Sequence, residues 1–552
     1  MRIALAQPNY HVGNFDYNTA LTLRAIRDAE KQGADLIVFP EMSVCGYPPR
    51  DLLFSDVFIR ECLRQVEKIS DACKGIAAIV GSPSFNPGPN GKRLRNTAFL
   101  LENGKIQATY HKGLMPTYDV FNEYRYFEPA TAFHTMPFKG RRIGLTVCED
   151  IWNLQNQGMY AMNPPDELFR ENPDLLINIS ASPFAWNHGP NRLRVLSENA
   201  RLYKLPLFNV NLLGGQTDLI FEGGSAVFNP QGEMIDLFPS FEEALRVYDL
   251  DEVINGRSKE IPAVPENDGK CLLMMDALVM GVRDYFRKTG LKQAILGLSG
   301  GIDSAVSLVV AARALGKENV WAVLLPGPHS SDHSVDDAVA LAENLGVPYD
   351  IISINDTVSS LERSLTPLFK GMDPGIAEEN LQARARAVIL MGLSNKFGHL
   401  LLNTSNKSEA AVGYGTLYGD MCGGLSPLGD VYKTDVYGMA KVINRQQEII
   451  PENTISKPPS AELRPDQKDS DSLPEYDVLD DILYKFLEEG MDAASIEQSG
   501  HDNATVRKVL RLVTGSEHKR RQSPPVLRVT AKCLGAGREM PLEASYEAII
   551  NC

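Results

Sequence analysis

The amino-acid sequence changes its pattern once, near the middle, and that change limits the fold more than any other feature. Up to about residue 250, β-rich apolar runs recur at 36–39, 77–80, 143–147, 175–179, 207–210 and 226–228, with polar or Gly/Pro-bearing stretches between them. Asn103-Gly104 separates strand-like segments at 97–101 and 105–110, and Asn229-Pro230-Gln231-Gly232 separates two more. Both read as hairpins, because Asn and Gly accept the backbone angles of tight turns. Helical periodicity occupies 18–31 and 192–202. This mixture predicts a layered, partly antiparallel α/β domain over residues 1–250. A Pro- and charge-bearing stretch at 251–270 reads as a linker. From 271 to 552, strands at 294–298, 320–325, 349–354 and 400–403 alternate with helices, two of them from Ser304 and over 335–345. That order predicts βαβ units in a Rossmann-like parallel sheet, with ligands at the carboxyl ends of the strands. Residues 454–477, rich in Pro, Ser, Asp and Lys, read as a long loop.

A formal charge of −15 argues against a general nucleic-acid binder, whose footprint must be basic; the densest basic run is His518, Lys519, Arg520 and Arg521. The eight cysteines form no C-x-x-C pair, which suits reduced thiols better than a disulfide frame. A strand-like run at 2–6 opens the chain, so no signal peptide is expected. No apolar stretch approaches the ~20 residues of a membrane span. A cytoplasmic protein with neither nucleic-acid nor membrane partner is the expectation.

Three potentially reactive residues in the first half follow strand-like runs: Glu41, Lys112 and Cys148. A carboxylate can take a thiol proton, and the thiolate can then attack an amide carbonyl. A nearby ammonium lowers the thiol pKa and steadies the developing oxyanion. The protonated carboxylate can finally return its proton to departing ammonia. Taken singly, each has a blander role: a small core cysteine, or surface charges. Phe39-Pro40-Glu41-Met42-Ser43, His111-Lys112-Gly113-Leu114-Met115-Pro116 and Val147-Cys148-Glu149-Asp150-Ile151-Trp152 together resemble the nitrilase-like carbon–nitrogen hydrolases over roughly residues 1–250. The resemblance implies an αββα sandwich with a Glu41, Lys112, Cys148 triad. It also implies glutamine contacts at Tyr118 and Ser182, and a further one at His188, where such members commonly carry a basic residue. Glu123 is expected to support Lys112.

In the second half, Gly297-Leu298-Ser299-Gly300-Gly301-Ile302-Asp303-Ser304 joins a strand to a helix. Glycines let several N–H groups turn into one concavity, and the helix N-terminus adds positive potential, so the loop is an anion site. It is no Walker loop, since G-x-x-x-x-G-K-[ST] is missing there. It resembles the PP-loop of ATP pyrophosphatases, in which an acid such as Asp303 beside phosphates is expected to bind Mg²⁺. The segments 379–384, 402–409, 418–421 and 427–433 extend the likeness to NAD synthetases over roughly 270–550. That resemblance implies that Thr404 contacts ATP and Lys433 its phosphates. Glu409 would meet metal or the dinucleotide, and Asn380, Asp420 and Lys519 would contact deamido-NAD. Residues 459–476 resemble the family's segment near the reacting carboxylate, so a water-excluding lid is expected there.

The whole chain resembles the glutamine-dependent NAD synthetases. The likeness implies an enzyme that draws ammonia from glutamine, adenylates deamido-NAD with ATP and Mg²⁺, and amidates it to NAD with release of AMP and pyrophosphate. A buried ammonia path between the domains and a homo-oligomer through the synthetase domain are expected. The alternatives are another ATP-dependent amidotransferase, a tRNA-modifying PP-loop enzyme, or a metabolite-binding protein with a dead hydrolase domain.

Overall fold

Alternation along the first strands already dictates two layers of packing, because successive side chains leave a strand on opposite faces. In the computed structural model, which describes residues 1–154, 159–256, 258–535 and 537–551, the chain forms two compact units, Met1–Val264 and Pro265–Cys552. Cys552, one of the eight cysteines, lies outside the described residues.

The first unit contains two six-stranded sheets. The strands are β1 (Arg2–Gln7), β2 (Leu36–Val38), β3 (Ala77–Phe85), β4 (Leu94–Glu102), β5 (Lys105–His111), β6 (Met136–Phe138) and β7 (Arg141–Val147). They continue with β8 (Leu175–Ser180), β9 (Leu207–Asn211), β10 (Leu213–Gln216), β11 (Leu219–Glu222), β12 (Ala226–Phe228), β13 (Met234–Leu237) and β14 (Ala244–Asp249). One sheet has the order β14-β1-β2-β3-β4-β5 and the other β13-β12-β9-β8-β7-β6, with a separate β10-β11 ribbon. Ile3, Leu5, Leu36, Val38 and Ile79 of the first sheet share a core with Leu145, Val147, Ile177, Ile179 and Phe208 of the second. Their neighbours Ala4, Ala6, Ile37, Ala78 and Val80 point the other way, onto Ile59, Cys62, Val66 and Ile69 of the helix Asp56–Ala72. That helix places its apolar residues three and four apart and is capped by Ser55, whose side chain accepts from Phe58 N. Leu176, Leu207 and Phe228 on the outer face of the second sheet meet Leu193, Leu196 and Ala200 of the helix His188–Tyr203. The result is the αββα sandwich. Each fully buried Leu, Ile or Phe contributes about 1.5–3 kcal/mol, so these faces stabilise the packing of the two sheets. Both expected hairpins form: β4 pairs antiparallel with β5, and β12 with β13.

The stretch 251–270 carries the end of a short helix, Leu250–Ile254, and the start of a long one, Asn267–Thr289. In the second unit β15 (Ala294–Gly297), β16 (Val320–Leu324), β17 (Tyr349–Ile351) and β18 (Leu400–Leu401) form a wholly parallel sheet of order β17-β16-β15-β18. The strand order reverses beside β15, which opens a crevice at its carboxyl end. β17 and β18 are shorter than expected, although single bonds from Ile352 N to Leu324 O and Leu402 N to Ile295 O extend the ladders. The segment 454–477 is less open than its composition suggests. It carries the short helix Glu452–Ser456, a 3₁₀ turn at Asp469–Asp471 and the first residues of the helix Tyr476–Leu487.

Candidate active sites

In the first unit the ends of three strands converge. Glu41 follows β2 by three residues, Lys112 follows β5 directly, and Cys148 follows β7 directly. Cys148 opens a 3₁₀ turn and takes a φ of +45°, a left-handed conformation rare for a side-chain-bearing residue. Asp150 holds that turn. Its carboxylate accepts from Val147 N (3.0 Å), Gly113 N (2.9 Å), Leu114 N (2.8 Å) and the Tyr110 hydroxyl (3.1 Å). One acid therefore ties the cysteine turn to the backbone that follows Lys112. Burial raises Asp150 to about 6 against those donors, so it remains ionised at neutral pH.

Lys112 is fully buried. Its Nζ donates to Glu41 Oε1 at 2.9 Å and to both oxygens of Glu123 at 2.9 and 2.8 Å. Burial opposes its charge, but Glu123 and then Glu41 lift its pKa well above the usual value, and the ammonium persists. Glu41 also accepts from Asn96 Nδ2 at 2.7 Å and from Ala181 N at 3.0 Å, so its position is fully determined. Gly81 of β3 permits this approach: a Cβ there would lie 2.4 Å from Met42 N. Glu123 also accepts from the Tyr47 hydroxyl at 2.9 Å.

At the thiol, burial is the larger effect. Lys112 does pull the Cys148 pKa down, but burial and the charge of Glu41 outweigh it and hold the thiol well above its usual value. Burial and the neighbouring acid thus favour the neutral thiol. Beside it Glu149 accepts from Tyr118 OH at 2.9 Å and Tyr160 OH at 2.8 Å. Ser182 Oγ lies 3.1 Å from His188 Nε2, and the His188 ring stacks on Trp152, four residues past the cysteine. Of the residues named from sequence, Glu41, Lys112, Glu123 and Cys148 form one cluster, Tyr118 reaches its edge through Glu149, and Ser182 pairs with His188.

In the second unit, β15 runs into the glycine loop and on into the helix Ile302–Leu315. Gly300 has a φ of +81°, and a Cβ there would stand 2.2 Å from Ser334 O, so no other residue fits. Ser304 Oγ donates to Gly301 O at 2.9 Å, and Ser299 Oγ accepts from Gly301 N at 3.2 Å, which shapes the turn. The loop opens on a cavity of about 310 Å³. Gly297, Leu298, Ser299, Gly301, Ile302, Asp303 and Ser304 line it, with Thr404, Glu409, Asp420 and Lys433. Lys433 Nζ bridges Asp303 Oδ2 (2.5 Å) and Glu409 Oε1 (3.3 Å), while Asn406 Nδ2 donates to Asp303 Oδ1 at 2.8 Å. Burial, then the charge of Asp303, raises Glu409 to about 8. Lys433 is raised in turn by Asp303 and Glu409 against burial.

Two expected dinucleotide contacts stand back from this cavity. Lys519 Nζ donates to Gly413 O and Gly415 O, both at 2.7 Å, and Asn380 Oδ1 accepts from Thr416 Oγ1 at 2.7 Å. Asp420 accepts from Thr416 N at 2.5 Å, so all three brace the turn at 413–420. From 454–477, Lys457, Glu462 and Asp469 line the cavity. Glu462 anchors that segment by accepting from Ser331 Oγ (3.0 Å) and Ser334 Oγ (2.6 Å), and Asp469 accepts from Tyr476 OH at 2.8 Å. Among the described residues no cluster of three or more His, Cys, Asp or Glu could hold a metal by itself.

Sequence reasoning missed Asn96, Glu149, Asp150, Glu462 and Asp469. Glu149 and Asp150 lie inside the run that carries Cys148, and two acids directly after a candidate nucleophile were the available signal. Asn96 had none, because only the pairing of β3 with β4 brings it to Glu41.

Fold and side chains together define a two-unit enzyme: a carbon–nitrogen hydrolase sandwich followed by a nucleotide-handling α/β unit. Residues 2–256 match the carbon-nitrogen hydrolase family and residues 274–523 the NAD synthase family. A glutamine-dependent NAD(+) synthetase from Synechocystis sp. is 44% identical, over 99% of each chain, and one from Acinetobacter baylyi is 41% identical, over 98% of each. The solved glutamine-dependent NAD+ synthetase of Acinetobacter baumannii, in complex with ADP, is 39% identical and covers 98% of each chain at a TM-score of 0.76. A synthetase from Cytophaga hutchinsonii, 21% identical with a TM-score of 0.84, shares the fold. The chain belongs to the glutamine-dependent NAD(+) synthetase family.

Proposed function

We propose that this enzyme converts deamido-NAD, ATP, glutamine and water to NAD, AMP, pyrophosphate and glutamate. The observation that carries the reading is the buried Glu41–Lys112–Glu123 network beside Cys148, in a chain whose other unit presents a glycine loop and two carboxylates to one cavity. In the first unit Glu41 takes the Cys148 proton as sulfur attacks the amide carbon of glutamine. Lys112 steadies the oxyanion, and Glu41 returns the proton to ammonia as the C–N bond breaks. Water then releases glutamate from the thioester. Tyr118, Ser182 and His188 orient the substrate, and Glu149 offers a buried negative charge to its α-ammonium.

In the second unit the loop N–H groups at 299–301 and the helix N-terminus hold phosphates, with Thr404 and Lys433 beside them. The deamido-NAD carboxylate attacks the α-phosphorus, pyrophosphate leaves, and ammonia displaces AMP from the acyl-adenylate. Asn380, Asp420 and Lys519 shape the turn against which deamido-NAD docks. Asp303 and Glu409 suit Mg²⁺: both are hard oxygen donors in a phosphate cavity, and the raised Glu409 pKa marks a crowded negative pair that a cation relieves. The ion, once bound, neutralises phosphate charge. The segment 454–477 shields the adenylate from water.

A homo-oligomer through the second unit fits its apolar surface, where Leu368, Met372, Ile376 and Val388 are all more than half exposed on the helices Asn355–Phe369 and Ile376–Phe397 or the turn joining them. No helix among the described residues is long and apolar enough to cross a membrane, and the seven described cysteines are free thiols, which suits the cytoplasm. The test is NAD formation from deamido-NAD, ATP, Mg²⁺ and amide-¹⁵N glutamine. Labelled NAD with equimolar AMP is the expected result; glutamate without NAD would transfer the ligase reading to another carboxylate acceptor.

A further inference from the structure

A carboxylate that touches none of Asp303, Glu409 or Lys433 nonetheless ties two of them together. Asp480, on the helix Tyr476–Leu487, is 5% exposed. Its Oδ1 accepts from Ser408 Oγ at 2.5 Å and its Oδ2 from Thr434 N at 2.9 Å. Ser408 Oγ in turn accepts from Lys433 N at 2.9 Å. The helix Lys433–Ile443 has Tyr432 at its N-cap and no cap bond from that side chain. Its first N–H groups are therefore satisfied by Ser408 and Asp480, from two other helices. Ser408 immediately precedes Glu409, and Thr434 immediately follows Lys433. Glu409 rides on the six-residue helix Lys407–Val412, whose first turn Asn406 closes by accepting from Glu409 N at 2.9 Å, and Ser408 ties that same turn to the helix that begins at Lys433.

We propose that Asp480 is a positioning residue of the adenylation centre. It sets Glu409 in register with Lys433, and through Lys433 with Asp303, so that the two carboxylates and the ammonium meet the ATP phosphates at fixed spacing. The inference rests on the assignment of this unit as the ATP-consuming half. A simple helix cap would lower stability and leave catalysis untouched, whereas a register pin acts on turnover and on the cation requirement.

The test uses the full chain with Asp480→Asn, whose amide keeps the shape but offers one accepting oxygen in place of two. Ammonia-dependent NAD formation is followed while Mg²⁺ is titrated, with glutamine hydrolysis by the same preparation as the control. The expected result is a kcat lower by about 10–100-fold, the scale of a 1 Å misplacement. The half-saturating Mg²⁺ concentration should rise as well, with glutamine hydrolysis within about twofold of the parent. Ser408→Ala should reproduce part of the loss, and the double variant should be no worse than Asp480→Asn alone, because both cut one linkage. If Asp480→Asn does not fold, Ser408→Ala is judged by the same two readouts. A folded variant that matches the parent's kcat and Mg²⁺ dependence overturns the proposal. A parent that makes no NAD overturns the reading beneath it, and the proposal with that.

Discussion

Cys148 and Lys112 are both buried, and the acids around them favour the charged form of one and the neutral form of the other. Glu123 and Glu41 favour the charged lysine against burial; burial first, then Glu41 with Glu149 and Glu123, favours the neutral thiol. Alkylation of Cys148 in the free enzyme should therefore accelerate with pH past 9 without levelling, since the thiolate fraction is still growing there. Iodoacetamide labelling followed by peptide mass spectrometry would read this, and a plateau below pH 8 would show a resting thiolate. One residue before Lys112, His111 is held down to about 4, first by burial and then by Arg95. Between about 4 and the usual 6.5 the folded chain binds fewer protons there than the unfolded one, so stability rises with pH across that window and is lost as pH falls through it. His111→Gln should flatten the melting temperature of this unit between pH 4.5 and 6.5, as followed by scanning calorimetry.

Elements place these residues, and the elements were the legible part. Strand ends at Val38, His111 and Val147 follow from apolar runs bounded by turn residues, and the glycine loop follows from its strand–helix context. What stayed hidden depends on contacts distant in sequence. Asp480 reaches Ser408 across 72 positions, and Asn96 reaches Glu41 across 55. Composition marks 454–477 as a loop but does not single out Glu462 and Asp469, whose bonds with Ser334 and Tyr414 fix it to the cavity wall. The pull of Lys112 on the thiol was legible from charge alone, whereas the larger opposing effect of burial was not. Two glycines test the placement element by element. Gly81→Ala would press a methyl onto Met42 N and shift Glu41, while Gly300→Ala meets Ser334 O at a positive φ. Gly81→Ala should cut glutamine-dependent synthesis by more than about tenfold and spare ammonia-dependent synthesis, on the scale of a lost catalytic proton transfer. Gly300→Ala should abolish both and weaken nucleotide binding measured by calorimetry. Equal effects of the two on both nitrogen sources would break the assignment.

For the whole molecule, the question is why a thiol amidase and an adenylating unit share one chain. An acyl-adenylate hydrolyses unless a nitrogen nucleophile arrives promptly, and at neutral pH free ammonia is mostly ammonium, which has no lone pair to offer. In the proposed mechanism, ammonia released at Cys148 and used before it equilibrates with solvent would avoid that loss. NAD made from amide-¹⁵N glutamine should then keep most of its label when an equal concentration of unlabelled ammonium is added, as read by mass spectrometry of the product. Cys148→Ala supplies the reference, because it should make NAD from added ammonium at close to the parent's rate and draw nothing from glutamine. Label diluted in proportion to the added ammonium would mean that the two half-reactions communicate only through bulk solvent, and the fusion would then need another explanation.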